Sequence, residues 1–515
     1  MATKIIHFLV HGRREHAEFR PDCSAADMRD LFQAAAEAEP HDILKLYDAN
    51  GSLVNITPRL EANGEDAYYR LEVVASDLKG LGMPLELDNM EHRLHHLERR
   101  VIEEVGDVPE VLHELQIQVE SFKKKLESLE HMSWLGLFRT DRDLHLAHPK
   151  PPTPQPRARE GLQKVRRRFL HMSSLQLTED IKEHLKTPLF DNWQWEESEL
   201  LVLLQLMFND LDFLALLYIE PDVLHNFLFD VYRHYNDIPF HNFRHCFCVT
   251  QMMYSLIWLT DLRTKLPPLD LLVLLTSTLC HDLDHTGYNN AYQVPTPPLY
   301  PGTGPCPITV FLLVKHQQIN AMTDLALRYN NQSPLENHHC TMTFGILSKP
   351  ECNILKNLSH QQYRHVRAGL IRCILATDMA RHNEILHQFR TLHPVFDFTN
   401  KEHKEVLMKI MVKVSDISNE ARPLAVSEPW MDRLLQEFFN QSDTEKLKGL
   451  PVAPFMDRDQ VFKPSSQISF IQFVLLPLFT ELTKLFPCLE QHILKPVQQA
   501  LEYYSNMDRA MKQKE

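Results

Sequence analysis

The run at residues 281–285 reads His-Asp-Leu-Asp-His and holds four side chains that can bind a metal ion or transfer a proton. If the run is helical, His281 and His285 lie one turn apart on one face, with Asp282 at its edge. Imidazole nitrogens and carboxylate oxygens together suit zinc or a harder divalent ion, and one carboxylate can bridge two such ions. The run therefore predicts the metal site of a hydrolytic enzyme.

A second histidine pair and two further acidic positions extend this set. His241 and His245 show the same four-residue spacing, residues 336–339 read Glu-Asn-His-His, and Asp416 lies within an apolar run at 410–417. Two histidines at this spacing are common on ordinary helices, so this pair alone more often represents surface or hydrogen-bonded side chains. A carboxylate in such a run, like Asp416, needs a partner when it is buried, and a cation would supply one.

These residue types are suited to the hydrolysis of phosphate esters. Two divalent ions roughly 3.5–4 Å apart, bridged by a carboxylate, can hold a hydroxide at neutral pH and neutralise the phosphate that faces it. A histidine outside the coordination sphere can then protonate the departing oxygen. The residues and their spacing predict a metal-dependent phosphohydrolase.

The composition argues against several other classes of protein. The chain has 515 residues, of which 44% are hydrophobic and 24% charged, ordinary values for a globular protein with more than one domain. Its net charge of -14 argues against a nucleic-acid-binding protein, which normally presents a basic face. The apolar runs are shorter than a bilayer span, so we expect no membrane-spanning segment.

Cysteine usage predicts the compartment. The nine cysteines are scattered without a CxxC pair, which fits a reducing environment better than a disulfide framework. The apolar run at residues 5–10 is too short for a signal peptide. We therefore expect a cytoplasmic protein, and leave open a nuclear location or attachment to a membrane through a partner.

The N-terminal region, residues 1–80, has the pattern of a small α+β module. The predicted elements are a strand at 4–10, a helix at 25–38, a hairpin around an Asn-Gly turn at 43–56 and a closing strand at 68–74. This order suggests a β-grasp-like fold. Because its residues do not suggest catalysis, we expect the module to bind a protein partner.

The rest of the chain is predicted to be mainly α-helical. Residues 81–169 form a helical, partly coiled-coil region, with apolar residues four and three apart between 115 and 129, and then a linker with five prolines at 149–156. Residues 170–515 form one large all-α domain, because long segments are apolar on one face or all round. Within it, residues 294–318 carry six prolines and have no clear structure of their own, which is unusual for a loop in a compact domain.

At this point the sequence motifs resemble a known family, the class I cyclic nucleotide phosphodiesterases. Residues 239–245 resemble the histidine-asparagine motif of the family, and residues 281–287 its His-Asp-x-Asp-His-x-Gly motif. Further family blocks follow in the same order at 336–339, 416–423 and 467–470, and the resemblance covers about residues 188–510. Among the subfamilies, residues 239–242, 416–423 and 452–459 look most like the type-nine, cyclic-GMP-specific one.

The resemblance implies a fold, a reaction and its cofactors. The fold is the all-α, HD-like catalytic domain of the family. The reaction is hydrolysis of 3′,5′-cyclic GMP to 5′-GMP by a hydroxide that bridges two metal ions, which ends a cyclic-GMP signal. The implied cofactors are zinc together with magnesium or manganese, and the implied assembly is a homodimer.

The resemblance also implies a role for each matching residue. Zinc would be held by His245, His281, Asp282 and Asp416, with Asp282 bridging to the second ion. His241 would be the general acid, His285 would lie behind the ligands, and Glu336 would support His241 or the metal-bound waters. The purine would be bound by a further set of residues: Gln467, Phe470, Leu434, Phe438, Asn419 and Glu420.

Two departures from the family pattern leave alternatives open. Phe438 stands where the type-nine subfamily usually carries a tyrosine, and the 25 residues 294–318 interrupt a stretch that is continuous in the family. We interpret this insertion as an alternatively spliced or grafted segment. The alternatives are a catalytically impaired isoform that binds cyclic nucleotide or dimerises, and another His-Asp metal-dependent nucleotide phosphohydrolase.

Overall fold

The computed structural model describes residues 4–20, 23, 25–38, 42–49, 51–57, 60–64, 68–74, 159–174, 177–293 and 323–513. The described residues on the two sides of the long gap at 75–158 belong to one compact unit. The predicted coiled coil, the proline-rich linker and the insertion at 294–318 lie outside the described residues.

The N-terminal module is a five-stranded mixed sheet with one helix packed against it. Its elements are β1 (Lys4–Val10), β2 (Arg13–Phe19), α1 (Ala25–Ala35), β3 (Ile43–Tyr47), β4 (Leu53–Val54) and β5 (Tyr69–Val74). The strand order is β2-β1-β5-β3-β4, with β1 and β5 parallel and the other neighbours antiparallel. This is the topology of a β-grasp fold, so the small α+β module predicted from the sequence is present.

The strand β2 was missed in the sequence. It reads Arg-Arg-Glu-His-Ala-Glu-Phe and buries only Ala17 and Phe19, because it lies at the edge of the sheet and its other side chains face solvent. A two-residue turn reverses the chain before it, and both His11 and Gly12 have positive φ (49° and 78°). The core of the module includes Phe8 and Phe32, whose stacked rings lie 4.6 Å apart.

The C-terminal domain consists of helices throughout its described residues. Its helices are α2 (Arg159–Met172), α3 (Glu179–Leu185), α4 (Glu197–Asp210), α5 (Phe213–Leu216), α6 (Pro221–Arg233), α7 (Phe243–Leu259), α8 (Leu262–Lys265), α9 (Pro268–Cys280), α10 (Asn290–Gln293), α11 (Asp324–Arg328), α12 (Pro334–Leu347), α13 (His360–Leu375), α14 (His382–Leu392), α15 (Lys401–Asp416), α16 (Leu424–Leu447), α17 (Lys463–Phe470), α18 (Leu476–Leu485) and α19 (Lys495–Lys512). Short 3₁₀ and π-helical turns lie between several of them, including the 3₁₀ turns Asn192–Gln194 and Asn419–Ala421.

The helix α9 is the centre of this domain. Every residue from Asp270 to Cys280 is buried, as its nearly continuous apolar sequence predicts. Helices α7, α13 and α15 pack around it. Helix α13 approaches closely at Gly369, where an added Cβ would lie 2.9 Å from two side-chain atoms of Val273. The close packing fixes the end of α9, where the predicted metal ligands begin.

Two features of the domain differ from the sequence-based expectations. The domain already includes α2, which begins at Arg159 rather than after residue 170, because Leu162, Val165 and Phe169 pack into the common core. The segment Lys463–Leu485 is long and apolar enough to span a bilayer by length and composition, although shorter runs were expected. Leu475, Leu478, Phe479 and Leu482 in this segment are part of the hydrophobic core, which accounts for its apolar composition.

Candidate metal centre and base-binding residues

Four of the predicted ligands lie at the ends of three core helices. His245 is in the first turn of α7, His281 and Asp282 follow directly after α9, and Asp416 is the last residue of α15. Asn242 fixes the start of α7, because its side-chain oxygen accepts hydrogen bonds from the backbone N–H groups of Arg244 (2.9 Å) and His245 (3.1 Å). Residues that are distant in sequence therefore meet at one point.

The ligand atoms of these four residues converge. The Nε2 atoms of His245 and His281 lie 3.3 Å apart. His281 Nε2 is 3.1 Å from Asp282 Oδ2 and 3.2 Å from Asp416 Oδ1, and His245 Nε2 is 3.5 Å and 3.4 Å from the same two oxygens. One ligand atom from each residue lies within 4.8 Å of all the others, a spacing that fits a shared cation.

The surroundings of this group also fit a divalent ion. His281 Nδ1 lies 2.7 Å from the carbonyl oxygen of Thr278, an acceptor only, so Nδ1 carries the hydrogen and Nε2 offers a lone pair to the centre. Asp282 Oδ2 is buried and lacks a hydrogen-bond partner among the described residues. Burial lowers the pKa of His281, but Asp282 and Asp416 outweigh it and raise that pKa well above its usual value. Positive charge is stabilised at this point.

The run at 281–285 is not helical, so the condition under which His281 and His285 would share one face is not met. Helix α9 ends at Cys280, and Asp284 turns the chain with a φ of 59°. Asn236 holds this turn by donating to Asp284 Oδ1 (3.0 Å) and to the carbonyl oxygen of His285 (2.9 Å). As a result, His281 belongs to the group of four predicted metal ligands, and His285 belongs to a neighbouring group of side chains.

That neighbouring group is His241, His285 and Glu437. His241 precedes α7, and its Nδ1 lies 2.5 Å from Glu437 Oε1. The other carboxylate oxygen of Glu437 accepts hydrogen bonds from the backbone N–H groups of Phe240 (2.9 Å) and His241 (3.2 Å). The carboxylate that supports His241 is therefore Glu437, which was not predicted, and not Glu336.

Electrostatics assign different charges to the two histidines of this group. Burial disfavours a charged imidazole, but the charge and hydrogen bond of Glu437 outweigh it and raise the pKa of His241 to about 9. Burial lowers the pKa of His285 to about 3, and the positive charge of His241 acts in the same direction. The two rings are stacked 4.1 Å apart. At neutral pH a protonated His241 thus lies against a neutral His285.

Glu336 has different partners. Its two carboxylate oxygens accept hydrogen bonds from Asn290 Nδ2 at 3.0 and 2.8 Å, and burial, followed by the Asp378 carboxylate, raises its pKa to about 8. A role near the metal-associated water stays a prediction. His339, three residues further along α12, lies beside the predicted metal ligands, with Nε2 3.7 Å from Asp282 Oδ1. The Glu-Asn-His-His motif contained this residue, although only Glu336 was selected.

The predicted purine-binding residues lie on α16, on α17 and on the 3₁₀ turn Asn419–Ala421. Gln467 in α17 is buried, and its Nε2 donates to Glu420 Oε1 at 2.6 Å. Leu434 and Phe470 are half-buried and pack against the core, and the half-buried Phe438 has its ring 6.1 Å from that of Phe455. Asn419 begins the turn and is half-buried. Their contacts with a nucleotide stay predictions.

Together, these residues form a group suited to binding cations and, beside it, a histidine held protonated by a buried carboxylate. Divalent ions can neutralise a phosphate and activate water, and a protonated histidine can donate to a leaving oxygen. This arrangement is typical of metal-dependent phosphohydrolases.

Comparisons with known proteins agree with this class. Residues 240–298 and 315–497 match the model of the 3′5′-cyclic nucleotide phosphodiesterase family. The high affinity cGMP-specific 3′,5′-cyclic phosphodiesterase 9A of Mus musculus is 39% identical over 525 aligned positions, which cover 99% of this chain and 92% of the mouse protein. The Drosophila melanogaster protein of the same name is 49% identical over 392 positions, or 76% of this chain and 24% of the fly protein.

The comparison with solved structures gives the same result. The phosphodiesterase domain of the RhoPDE fusion protein from the choanoflagellate Salpingoeca rosetta is 29% identical, with a TM-score of 0.56, and covers 64% of this chain and 97% of its own. The chain belongs to the 3′5′-cyclic nucleotide phosphodiesterase family, and its C-terminal domain has the all-α fold of that family. The resemblance read from the sequence motifs is thus confirmed.

Proposed function

We propose that this chain hydrolyses 3′,5′-cyclic GMP to 5′-GMP. The proposal depends above all on the convergence of His245, His281, Asp282 and Asp416 beside the protonated His241. The choice of cyclic GMP is supported by the names of the mouse and fly relatives, which are cGMP-specific.

In the proposed mechanism the four converging residues would hold a divalent ion, zinc by the chemistry of its ligands, and Asp282 would also serve a second ion, magnesium or manganese. Bound ions would supply Lewis acidity and neutralise the charge of the cyclic phosphate. His281 is held in the ligating tautomer by the Thr278 carbonyl, and the Asn242 side chain fixes the backbone of His245.

His241 acts as the general acid for the 3′ oxygen of the ribose. Glu437 binds its Nδ1 and keeps the ring charged at neutral pH, so the proton available for transfer is on Nε2. The neutral His285 stacks on this ring and limits its rotation. Proton donation by His241 and support by Glu437 are thus separate roles in the same step.

Gln467 reads the edge of the purine. Because the Glu420 carboxylate accepts a hydrogen bond from Gln467 Nε2, the amide oxygen of Gln467 is left to accept from a donor on the base. Guanine offers N1–H as that donor, next to O6 as an acceptor for the remaining amide N–H. Adenine presents the opposite order, so a fixed amide favours guanine. Phe470 and Leu434 are proposed to enclose the ring from its two faces.

The experiment that tests the function compares two variants of the purified full-length chain. His241→Ala should keep its metal content and lose about 10²–10⁴-fold in kcat, as expected for a lost general acid. Asp416→Ala should lose bound zinc as well as activity, because one of four ligands is removed. Rates with cyclic GMP and cyclic AMP, and metal content by mass spectrometry, are the measurements.

The opposite results would exclude the proposal. Loss of metal in His241→Ala would make that residue a ligand rather than an outside acid, and full zinc occupancy in Asp416→Ala would remove it from the ligand set. Faster turnover of cyclic AMP than of cyclic GMP by the unmodified chain would exclude the proposed specificity while leaving the reaction in place.

A further inference from the structure

The β-grasp module contacts the phosphodiesterase domain of its own chain through a buried ion pair. Lys45 in β3 is 2% exposed, and its ammonium group pairs with the carboxylate of Glu199 in α4, which is 5% exposed. Lys45 Nζ also lies 5.5 Å from the centre of the Trp195 ring. Lysine and glutamate are rarely buried unless they are paired, so this pair identifies the contact as specific.

Three further contacts surround this pair. Arg29 of α1 lies 3.2 Å from Asp191 Oδ2, and Asn55 Nδ2 donates to Asp180 Oδ2 at 3.1 Å. Leu53 of β4 packs against the large hydrophobic core of the phosphodiesterase domain. The contact therefore includes an apolar centre and polar groups from three elements of the module, which resembles a small domain interface.

The segment at residues 191–195 lies between the module and the metal centre. On one side it contacts Lys45 and Arg29. On the other side, Arg244 of α7 donates to the carbonyl oxygens of Asn192 (3.1 Å) and Trp195 (2.8 Å). Arg244 immediately precedes the predicted ligand His245.

A second connection runs through tryptophan rings. The Trp193 ring lies 4.6 Å from that of Trp430, which is 6.0 Å from the ring of His245. Trp193 Nε1 also donates to the carbonyl oxygen of Val426 at 3.1 Å, which fixes its orientation against α16. The segment therefore touches both helices that carry the site residues His245 and Glu437.

We propose that the β-grasp module is a built-in support of the metal centre: it docks on its own chain through the Lys45–Glu199 pair and holds the segment 191–195 against the first turn of α7. The phosphodiesterase domain of the same chain is thus the partner that the module binds. Lys45 is a positioning residue, which acts through this segment and not on the substrate.

The proposal is tested by charge reversal in the full-length protein. The variants are Lys45→Glu, Glu199→Lys and the double variant, and the measurement is hydrogen exchange of the backbone amides in β3, in residues 191–195 and in the first turn of α7. Each single reversal should speed exchange in all three regions by about tenfold, because it places two like charges in a buried contact. The double variant should recover part of the protection, since the pair is restored in reverse but the hydrogen bond from the Glu196 N–H to the Glu199 carboxylate is not.

Arg13→Glu is the matched control. Arg13 is a basic residue of the same module in an ion pair with Glu37, but both side chains are largely exposed, at 48% and 73%. Exchange in the three regions should stay at the level of the unmodified chain. If a charge-reversed variant does not fold, Lys45→Met with and without Glu199→Gln is measured in the same way, with faster exchange expected for the single change.

Two results would overturn the proposal. If Lys45→Glu exchanges at the rate of the Arg13→Glu control, or if the double variant shows no recovery, the pair is not the docking contact. If exchange rises in β3 and residues 191–195 but not in the first turn of α7, the module docks without supporting the metal centre.

Discussion

At the scale of single residues, the charge of His241 depends on Glu437. The two side chains form a buried pair in which the pKa of His241 is raised to about 9 and that of Glu437 lowered to about 2. The raised pKa of His241 means that the contribution of this imidazole to stability is lost as the pH rises from about 6.5 through about 9, and the lowered pKa of Glu437 means that the contribution of its carboxylate is lost as the pH falls from about 4.5 through about 2. A proton donor with this behaviour should lose activity on the alkaline side.

We therefore predict that Glu437→Gln moves the alkaline limb of the kcat–pH profile to lower pH. Without the carboxylate charge, burial is opposed only by the smaller effects of Asp282 and Asp416, so the pKa of His241 falls and less of the acid form is present at pH 8. The measurement is kcat between pH 5.5 and 10. Glu445→Gln, a buried acid on the same helix that is bound by Gln441 instead, is the control. An unshifted limb in Glu437→Gln would show that another group limits the rate.

A second prediction at this scale concerns the purine. Glu420→Gln should reduce the preference for cyclic GMP over cyclic AMP by roughly tenfold, or about 1.4 kcal/mol, because a glutamine at 420 can donate or accept and no longer fixes the Gln467 amide. The ratio of the two kcat/KM values is measured. Glu428→Gln, which removes a half-exposed acid near Lys463, should leave the ratio unchanged. An unaltered ratio in Glu420→Gln would mean that other contacts select the base.

Single residues also show what a sequence can and cannot predict. The group formed by the four predicted ligands could be anticipated because a family motif surrounds each of them. Glu437 was not, because it lies in the middle of a long helix and only the fold brings it to His241, almost two hundred residues earlier in the chain. The one sign of Glu437 in the sequence was its position next to Phe438, which was predicted to bind the purine.

At the scale of elements, helix ends place the ligands. The start of α7 is set by Asn242, whose side-chain oxygen accepts from the N–H of His245 and whose amide group donates to the carbonyl oxygens of Ile238 and Pro239. Helix α15 begins in the same way at Asn400, which accepts from Glu402 and His403, but its ligand Asp416 is at the opposite end. Both side-chain oxygens cap a helix, but only the buried Asn242 also donates to two carbonyl oxygens and lies beside a predicted ligand.

We predict that Asn400→Ala lowers the free energy of unfolding by about 1 kcal/mol and Asn242→Ala by about 2 kcal/mol or more, because the buried Asn242 amide also leaves two carbonyl oxygens without a donor. Only Asn242→Ala should weaken zinc binding, because the amide of His245 itself loses its partner. Denaturant unfolding and metal titration on both proteins are the measurements. Equal zinc affinity in the two variants would show that the cap stabilises α7 without placing its ligand.

The long helices were predictable from apolar periodicity, and the turns were not. Residues 281–285 have the spacing of a helix, yet the chain leaves α9 at Cys280, because Asn236 and the carbonyl oxygen of His234 hold Asp284 in a left-handed conformation. These partners lie about fifty residues earlier in the sequence, so local periodicity contains no sign of them.

At the scale of the whole molecule, the described residues on the two sides of the stretch 294–322, which contains the predicted insertion, lie next to each other. Thr323 Oγ1 donates to Gln293 Oε1 at 2.5 Å, and the backbone N–H of Thr323 lies 3.4 Å from the carbonyl oxygen of Gln293. The family model also stops at residue 298 and resumes at 315. Gln293 and Thr323, on either side of this undescribed stretch, are thus connected by hydrogen bonds.

Deletion of residues 294–318 should therefore keep kcat and thermal stability within about twofold and a few degrees of the full chain, since four residues remain to bridge a short gap. A variant in which the stretch is replaced by Gly and Ser residues of equal number separates the effect of length from that of sequence. A large rise in kcat on deletion would favour the alternative of a catalytically impaired isoform. Complete loss would show that the stretch is part of the site.

The topology of the module was predictable in outline, because alternating apolar residues and an Asn-Gly turn define most of its strands. Its edge strand β2 and its docking contacts were not, since Arg13–Phe19 reads as a charged loop and Lys45 as an ordinary solvent-facing lysine. The role of each depends on a contact with another element, which the local sequence does not reveal.

The helix α16 carries Leu434, Glu437 and Phe438 on one face, three and four residues apart. In the proposed function, the contacts with the nucleobase and the protonation of the general acid thus both depend on the position of this one helix. A shift of α16 that accommodates a different base would also move Glu437 and so change the pKa of His241. We therefore expect new nucleotide selectivity in this fold to arise through changes around Gln467, because this residue lies on α17 and not on the helix that carries Glu437.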